Sequence, residues 1–316
     1  MITIAADLGG TRVKLGIVRD GKVIQQTSVP ARSRNGLSTQ LAEIADEIDR
    51  LLLSLGLEHR QCGVLGLTFP GLVDAATNRV RTTYGKWDDA PGIDLGAWTK
   101  ARYGLPLVIE NDTRLALLGE WRAGAGVGCN NLVLVTLGTG LGTAAIVEGQ
   151  LLTGVHGQAG ILGGHFCTNR RGGRCNCGNV GCAEAEASTW ALARIAEALP
   201  EFQASPLRTR DSLDFDAVFE LARQGDACAL ALKAHALAVW AQMIVNLIHA
   251  YDPERVILGG GVAAGAGDFF DELKTIILSH AHTPWGQVDI VVGKLGASAA
   301  LLGLDALARR RHPELA

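Results

Sequence analysis

The chain has no excess of positive charge. Its 29 Lys and Arg against 32 Asp and Glu leave a net charge of −3, which removes the electrostatic case for binding nucleic acid or an anionic membrane. It also lacks a long unbroken apolar run. The uncharged stretch 123–147 holds six glycines and two adjacent asparagines, and the apolar stretch 236–251 is interrupted by Gln242, Asn246 and His249. Neither reads as a membrane span. No basic region precedes an apolar run at the N-terminus, because Asp7 falls inside the first apolar segment, so no signal peptide is expected. The paired, evenly spread cysteines of a disulfide scaffold are missing too. Seven Cys is an odd count, and it suits a reducing cytoplasm. The pattern Gly-x4-Gly-Lys-Ser/Thr occurs nowhere, which excludes a P-loop.

Four of those Cys gather instead between Cys167 and Cys182. With His165 they form His-x9-Cys-x-Cys-x4-Cys, using His165, Cys175, Cys177 and Cys182. One imidazole and three thiolates are the donors that a closed, structural zinc site takes. Glycines at 172, 173, 178 and 181 allow the sharp turns that such close ligands need. Cys167 is a competing ligand. Inert buried thiols are the alternative, but these have no reason to cluster among glycines and arginines.

The first residues read as an apolar strand, ITIAADL, then the turn Gly9-Gly10-Thr11, a second strand, and a hairpin at Asp20-Gly21. The same order returns about 129 residues later: NLVLVTL, Gly138-Thr139-Gly140, TAAIV, and a turn at Glu148-Gly149. This is the pattern of an internal duplication, giving two related α/β domains that face each other. Between the copies, 39–55 carries leucines and isoleucines on one helical face, and 113–121 follows as a helix. The polar loop 82–91 reads as exposed. After the cysteine segment the pattern is helical, with a long apolar helix at about 227–251 and a last helix at about 298–310. The expected boundaries are an N-terminal domain 1–115, onto which the C-terminal helix 298–316 packs back, and a second domain 116–297 containing the zinc segment 165–184. Alternating strands and helices imply mixed sheets covered by helices.

Three glycine turns each follow an apolar strand: Gly9-Gly10-Thr11, Gly138-Thr139-Gly140 and Gly259-Gly260-Gly261. Glycine lets backbone N–H groups approach an anion, and threonine adds a hydroxyl, so such turns can cradle phosphates. Any one of them alone could be merely structural; three, with Asp7 beside the first, point to a nucleotide. Asn111-Asp112 sits where a strand gives way to a helix. The Asp112 carboxylate there can be an N-cap or a general base that takes a proton from a substrate hydroxyl.

Taken together, these motifs resemble those of the ROK family of sugar kinases, within the actin/hexokinase-like ATPase superfamily. The resemblance runs essentially the whole length, through DLGGT (7–11), TFPG (68–71), ENDTRLALLGE (110–120), LGTGLG (137–142), the zinc segment, and LGGG (258–261). It implies two ribonuclease-H-like, actin-like ATPase domains flanking an active-site cleft, and an ATP-dependent kinase for a hexose or hexosamine. By the same resemblance, Gly9, Gly10, Thr11, Gly138, Thr139 and Gly140 contact phosphates, with Lys14 assisting. Asp7 orients Mg²⁺ through water, and Gly259, Gly260 and Gly261 line the adenosine pocket. Gly71, Asn111, His165 and Glu184 bind the sugar, with Asp112 as base. A structural Zn²⁺ at His165, Cys175, Cys177 and Cys182 holds the sugar wall in place. The partners implied are the sugar, ATP and a second copy of the chain in a homodimer, to whose interface the apolar helical stretch 236–248 is expected to contribute, with no nucleic acid and no membrane.

One position departs from the pattern. The family places an acidic residue three before the zinc histidine, in Gly-Glu-Ile-Gly-His. Here that position is Leu162, within AGILGGH, which is also one residue longer. The expected consequence is weak activity on glucose and preference for a modified hexose such as an N-acetylated one. Two other readings are weighed. A sugar-sensing repressor of the same family would carry an N-terminal helix-turn-helix, for which a first strand beginning near Ile2 leaves no room. A nicotinamide enzyme would rest only on the Gly259–Ala264 fingerprint, which lacks its acidic partner about twenty residues on.

Overall fold

The computed structural model describes residues 1–315, which divide into two compact units. The first comprises Met1–Gly128, Thr153–Ala159 and the C-terminal residues from Ala297; the second comprises Cys129–Leu152 and Gly160–Gly296.

The first unit holds strands β1 (Ile2–Leu8), β2 (Arg12–Arg19), β3 (Lys22–Pro30), β4 (Val64–Phe69) and β7 (Leu107–Asn111), in the sheet order β3-β2-β1-β4-β7, with β5 (Leu72–Asp74) and β6 (Arg79–Thr82) as a separate hairpin. The first three strands are antiparallel, whereas β1, β4 and β7 run parallel. Alternation sorts the side chains between two cores. Ile4, Ala6 and Leu8 face a core with Leu65, Ile109 and the buried side of helix Leu41–Ser54. Ala5, Val64 and Val108 face the other way, toward helix Asp112–Ala123 and the C-terminal helix Ala299–Arg311. On that second side the buried Asp305 is satisfied by Thr3 Oγ1 at 2.7 Å and Arg309 Nε at 2.9 Å. Asp7 shares its strand parity with Thr3 and Ala5 and ends the row.

The second unit repeats the scheme with β8 (Leu132–Leu137), β9 (Leu141–Val147), β10 (Gln150–Leu151), β11 (Arg255–Gly259) and β12 (Asp289–Val292), in the order β10-β9-β8-β11-β12. Again three antiparallel strands are followed by parallel neighbours. The hairpin turns match as well. Asp20 and Gly21 have φ of 51° and 72°, and Glu148 and Gly149 have 51° and 71°, the doubly positive turn that suits the twist of a two-residue hairpin. The duplication inferred from the sequence is therefore present in the topology.

Two expectations need correction. The loop 82–91 is not simply exposed: Trp87 within it is fully buried. The apolar stretch 236–248, expected to contribute to an interface, has most of its residues buried at home. In helix Ala227–Tyr251, Trp240, Met243, Ile244, Leu247 and Ile248 lie inside the second unit's own core, with Phe215 and Phe269 against Trp240 and Phe219 stacked on Phe269. This helix is long and apolar enough to cross a membrane, yet 61% of its most apolar window is buried in the fold.

Candidate active site

In the first unit, strand register places two partners beside Asp7. Lys14 is opposite it on β2 and Thr68 lies beside it on β4. The Thr68 hydroxyl donates to Asp7 Oδ1, and Lys14 Nζ donates to Asp7 Oδ2 at 3.3 Å. The chain then turns tightly, Gly9 N–H donating to the Asp7 carbonyl at 3.0 Å, while the Gly10 carbonyl accepts the Ser33 hydroxyl at 2.9 Å. Thr11 is exposed.

Asn111 ends β7 at the parallel position next to Phe69. Its side chain serves two neighbours. Oδ1 accepts the N–H groups of Thr113 and Arg114, and Nδ2 donates to the Gly71 carbonyl at 3.2 Å. Asp112 is thus the first helical residue, with Oδ1 accepting the Thr113 N–H at 2.8 Å. Among the described residues its other oxygen accepts no hydrogen bond. Burial, then the negative charge of Asp7, push the Asp112 carboxyl up to about 6, against the opposing pull of the Thr113 N–H and the Lys86 ammonium. A group tuned this way accepts a proton near neutral pH, as a general base must.

In the second unit the structure brings two of the glycine turns together. A β-carbon on Gly138 would come within 3.9 Å of the Gly261 backbone nitrogen, and Gly259 pairs in register with Thr136. The Gly138 carbonyl accepts from the Thr189 N–H and hydroxyl, and Thr139 stays exposed. Glu184 closes the turn from below: its carboxylate accepts the Leu141 N–H at 3.0 Å and lies 2.7 Å from where a β-carbon on Gly140 would be. A side chain at position 140 would therefore press on the carboxylate that holds the Leu141 N–H.

His165, Cys175, Cys177 and Cys182 converge, their donor atoms all within 4.8 Å of one another. Cys177 Sγ is 3.7 Å from Cys182 Sγ, and Cys175 Sγ is 3.5 Å from His165 Nδ1. A tetrahedron with zinc–sulfur bonds of about 2.3 Å has edges of about 3.8 Å, so the donors fit zinc. Cys167 stays outside the cluster, exposed, in an isolated bridge with Cys182. The metal segment is tied to the short helix Ala183–Ala187 by Glu186, whose carboxylate accepts Asn169 Nδ2 at 2.9 Å and Gly173 N–H at 2.7 Å. Glu184 and Glu186 of one helix therefore hold the second glycine turn and the metal segment respectively. Leu162 lies just before the turn Gly163–His165 and is partly buried; 159–165 contains no carboxylate.

Sequence reasoning missed Thr68, Ser33 and Lys86. Thr68 follows from register with Asp7, but Lys86 reaches Gly10 only through the loop's burial of Trp87. A cavity of about 950 Å³ in the first unit, lined by Asp74, Arg81, Glu110 and Arg114 among others, includes none of the candidate residues. Two ion pairs lie in its wall, Arg114 with Glu110 and Arg81 with Asp74.

A profile of the ROK family matches residues 3–311. The chain is 34% identical to a glucokinase of Halalkalibacterium halodurans, over 95% of this chain and 92% of that one. Its fold superimposes on a ROK hexokinase from Thermus thermophilus with a TM-score of 0.80 at 28% identity, covering 99% of each chain. A ROK family glucokinase from Streptomyces griseus, solved with glucose and AMPPNP, gives 0.78 at 29% identity, covering 98% of this chain and 100% of that one.

Proposed function

We propose, for a chain that belongs to the ROK family and is an ATP-dependent sugar kinase built on two actin-like ATPase domains, that Asp112 is the general base and that a hydroxyl of a hexose or hexosamine is the acceptor. The observation that carries this reading is the state of Asp112: one oxygen without a protein donor among the described residues, on a carboxyl pushed up to about 6.

Phosphoryl transfer asks mainly for positioning and charge neutralisation. Asn111, fixed by its cap and by Gly71, orients the sugar, and the free Asp112 oxygen takes the hydroxyl proton as the oxygen attacks. His165 and Glu184 contact further sugar hydroxyls. The turns at 9–11 and 138–140 receive phosphates, Lys14 lends charge there, and 259–261 lines the adenosine pocket. Asp7, whose oxygens each accept one hydrogen bond among the described residues, from Thr68 and from Lys14, would orient Mg²⁺ through water; that ion would supply charge neutralisation on the phosphates. Zn²⁺ held by His165, Cys175, Cys177 and Cys182 would be structural, fixing the helix that carries Glu184. The homodimer belongs to the same reading and rests on the family resemblance.

The missing carboxylate at 159–165 favours a narrower second reading, in which glucose is a poor substrate and a hexose modified at that edge is preferred. Sugar-dependent ADP release, measured across a panel of hexoses and N-acetylhexosamines, tests both. Turnover on any of these sugars supports the kinase reading; best turnover on glucose removes the narrower one. No sugar-dependent turnover across the panel contradicts the acceptor class.

A further inference from the structure

The segment 83–89 is organised around one buried side chain. Trp87 sits at φ 59°, a region that bulky side chains rarely enter. Its backbone N–H donates to the Ser33 carbonyl at 2.8 Å and its indole N–H reaches the Leu8 carbonyl at 3.4 Å. Two residues on, the Asp89 carboxylate accepts the backbone N–H groups of Leu37 and Ser38 and the Ser38 hydroxyl. Residues so fixed hold a strained backbone, and strain held in this way is a pointer to function.

What the arrangement delivers is Lys86. Its stem lies across the first glycine turn, so that a β-carbon on Gly10 would be 2.7 Å from Lys86 Cε and 2.9 Å from Nζ. Among the described residues the Lys86 ammonium makes no hydrogen bond and no ion pair within 4.0 Å. It is nonetheless within electrostatic reach of the Asp112 carboxylate, which also feels Asp7. Lys14, the cation singled out from the sequence, is drawn to Asp7 at 3.3 Å. Of these two lysines, Lys86 is the one without such a partner among the described residues.

We propose that Lys86 is a catalytic residue whose ammonium contacts the γ-phosphoryl group of ATP during its transfer. This rests on the reading of the first glycine turn as a phosphate site and of Asp112 as the base. The acceptor hydroxyl oxygen bonds to the γ-phosphorus while the bridging oxygen–phosphorus bond breaks. ADP leaves with the bonding pair, and the hydroxyl proton passes to Asp112. Charge is spread over the moving phosphoryl oxygens throughout, and a fixed cation over Gly10 stabilises it without reorganising. Only glycine at position 10 lets the lysine stem lie so close.

Lys86→Met keeps the stem and removes the charge. The expected result is a fall in kcat of about 10²–10³, the usual worth of one preorganised donor to a developing anion. Binding gives a second readout, free of turnover. A non-hydrolysable ATP analogue should bind about 10-fold more weakly or worse, for loss of one charge-assisted contact, with ADP affinity unchanged because ADP lacks the γ-phosphate. Lys86→Arg should recover part of both. Equal weakening of ADP and the analogue would mean a merely structural lysine and would overturn the proposal. So would a rise in sugar KM alone, or a kcat within about threefold of wild type. Failure of the underlying base reading shows elsewhere, as normal turnover in Asp112→Asn, and leaves the ADP-to-analogue comparison readable.

Discussion

Asn111 caps the helix that Asp112 begins, its Oδ1 accepting the N–H groups of Thr113 and Arg114 at 3.1 and 3.2 Å. The capping duty that the sequence offered to Asp112 falls to the Asn111 amide, and only one Asp112 oxygen is drawn to the Thr113 N–H. An ionised Asp112 is then a cost to the fold. Its carboxyl is pushed from 3.8 up to about 6. The folded chain therefore binds the proton more tightly than the unfolded one, and stability declines as pH rises between these values. Asp112→Asn should stabilise the protein by on the order of 1–3 kcal/mol at pH 7–8 and by almost nothing at about pH 3 and below, where the wild-type carboxyl is mostly protonated in both states. Thermal unfolding of both proteins across that range checks the sign.

The same shift sets the pH dependence of the reaction. A base must be ionised to work, so kcat/KM for the sugar should fall below an apparent pKa near 6, rather than near the 3.8 of an ordinary aspartate. An activity profile flat down to pH 4.5 would show that Asp112 either is not the base or is not shifted in solution.

Zinc should matter to the sugar before it matters to the nucleotide. Cys177→Ser removes one of four donors, and the segment that Glu186 anchors through Asn169 and Gly173 then loses its support. Bound zinc, measured by elemental analysis, should fall by about 10-fold or more. Sugar affinity should drop with it, because His165 is itself a ligand and Glu184 shares the anchored helix, while ADP affinity changes little. A metal-free wild-type protein would contradict this.

Leu162→Glu tests whether substrate choice follows from the missing carboxylate. A carboxylate accepting sugar hydroxyls offers bonds worth about 1.5–3 kcal/mol each, which leucine cannot supply. The substitution should shift relative kcat/KM towards glucose by about 10-fold or more. No shift would mean that another group of the longer AGILGGH segment already fills the place.

The residues legible from sequence are those whose chemistry demands neighbours close along the chain. The metal donors lie within eighteen residues of one another, the glycine turns follow their strands directly, and the duplication shows because strand, turn and hairpin recur in one order. What stayed hidden depends on distant contacts. Nothing local to Lys86 says that Trp87 will be buried against Leu8 and Ser33, about 50 residues or more away, or that this carries the lysine onto Gly10. Apolarity at 236–248 suggests an interface but cannot say which surface will cover it; here the core side chains of the same unit do.

The central claim is that Asp112 takes the proton from the acceptor hydroxyl. Its most direct test is the rate of sugar-dependent ADP release by Asp112→Asn at saturating ATP and sugar, with ADP binding measured on the same preparation. The account predicts a kcat lower by about 10²–10⁴, the usual contribution of a positioned base, with ADP affinity and fold retained. A kcat close to that of the wild type would remove Asp112 from the mechanism.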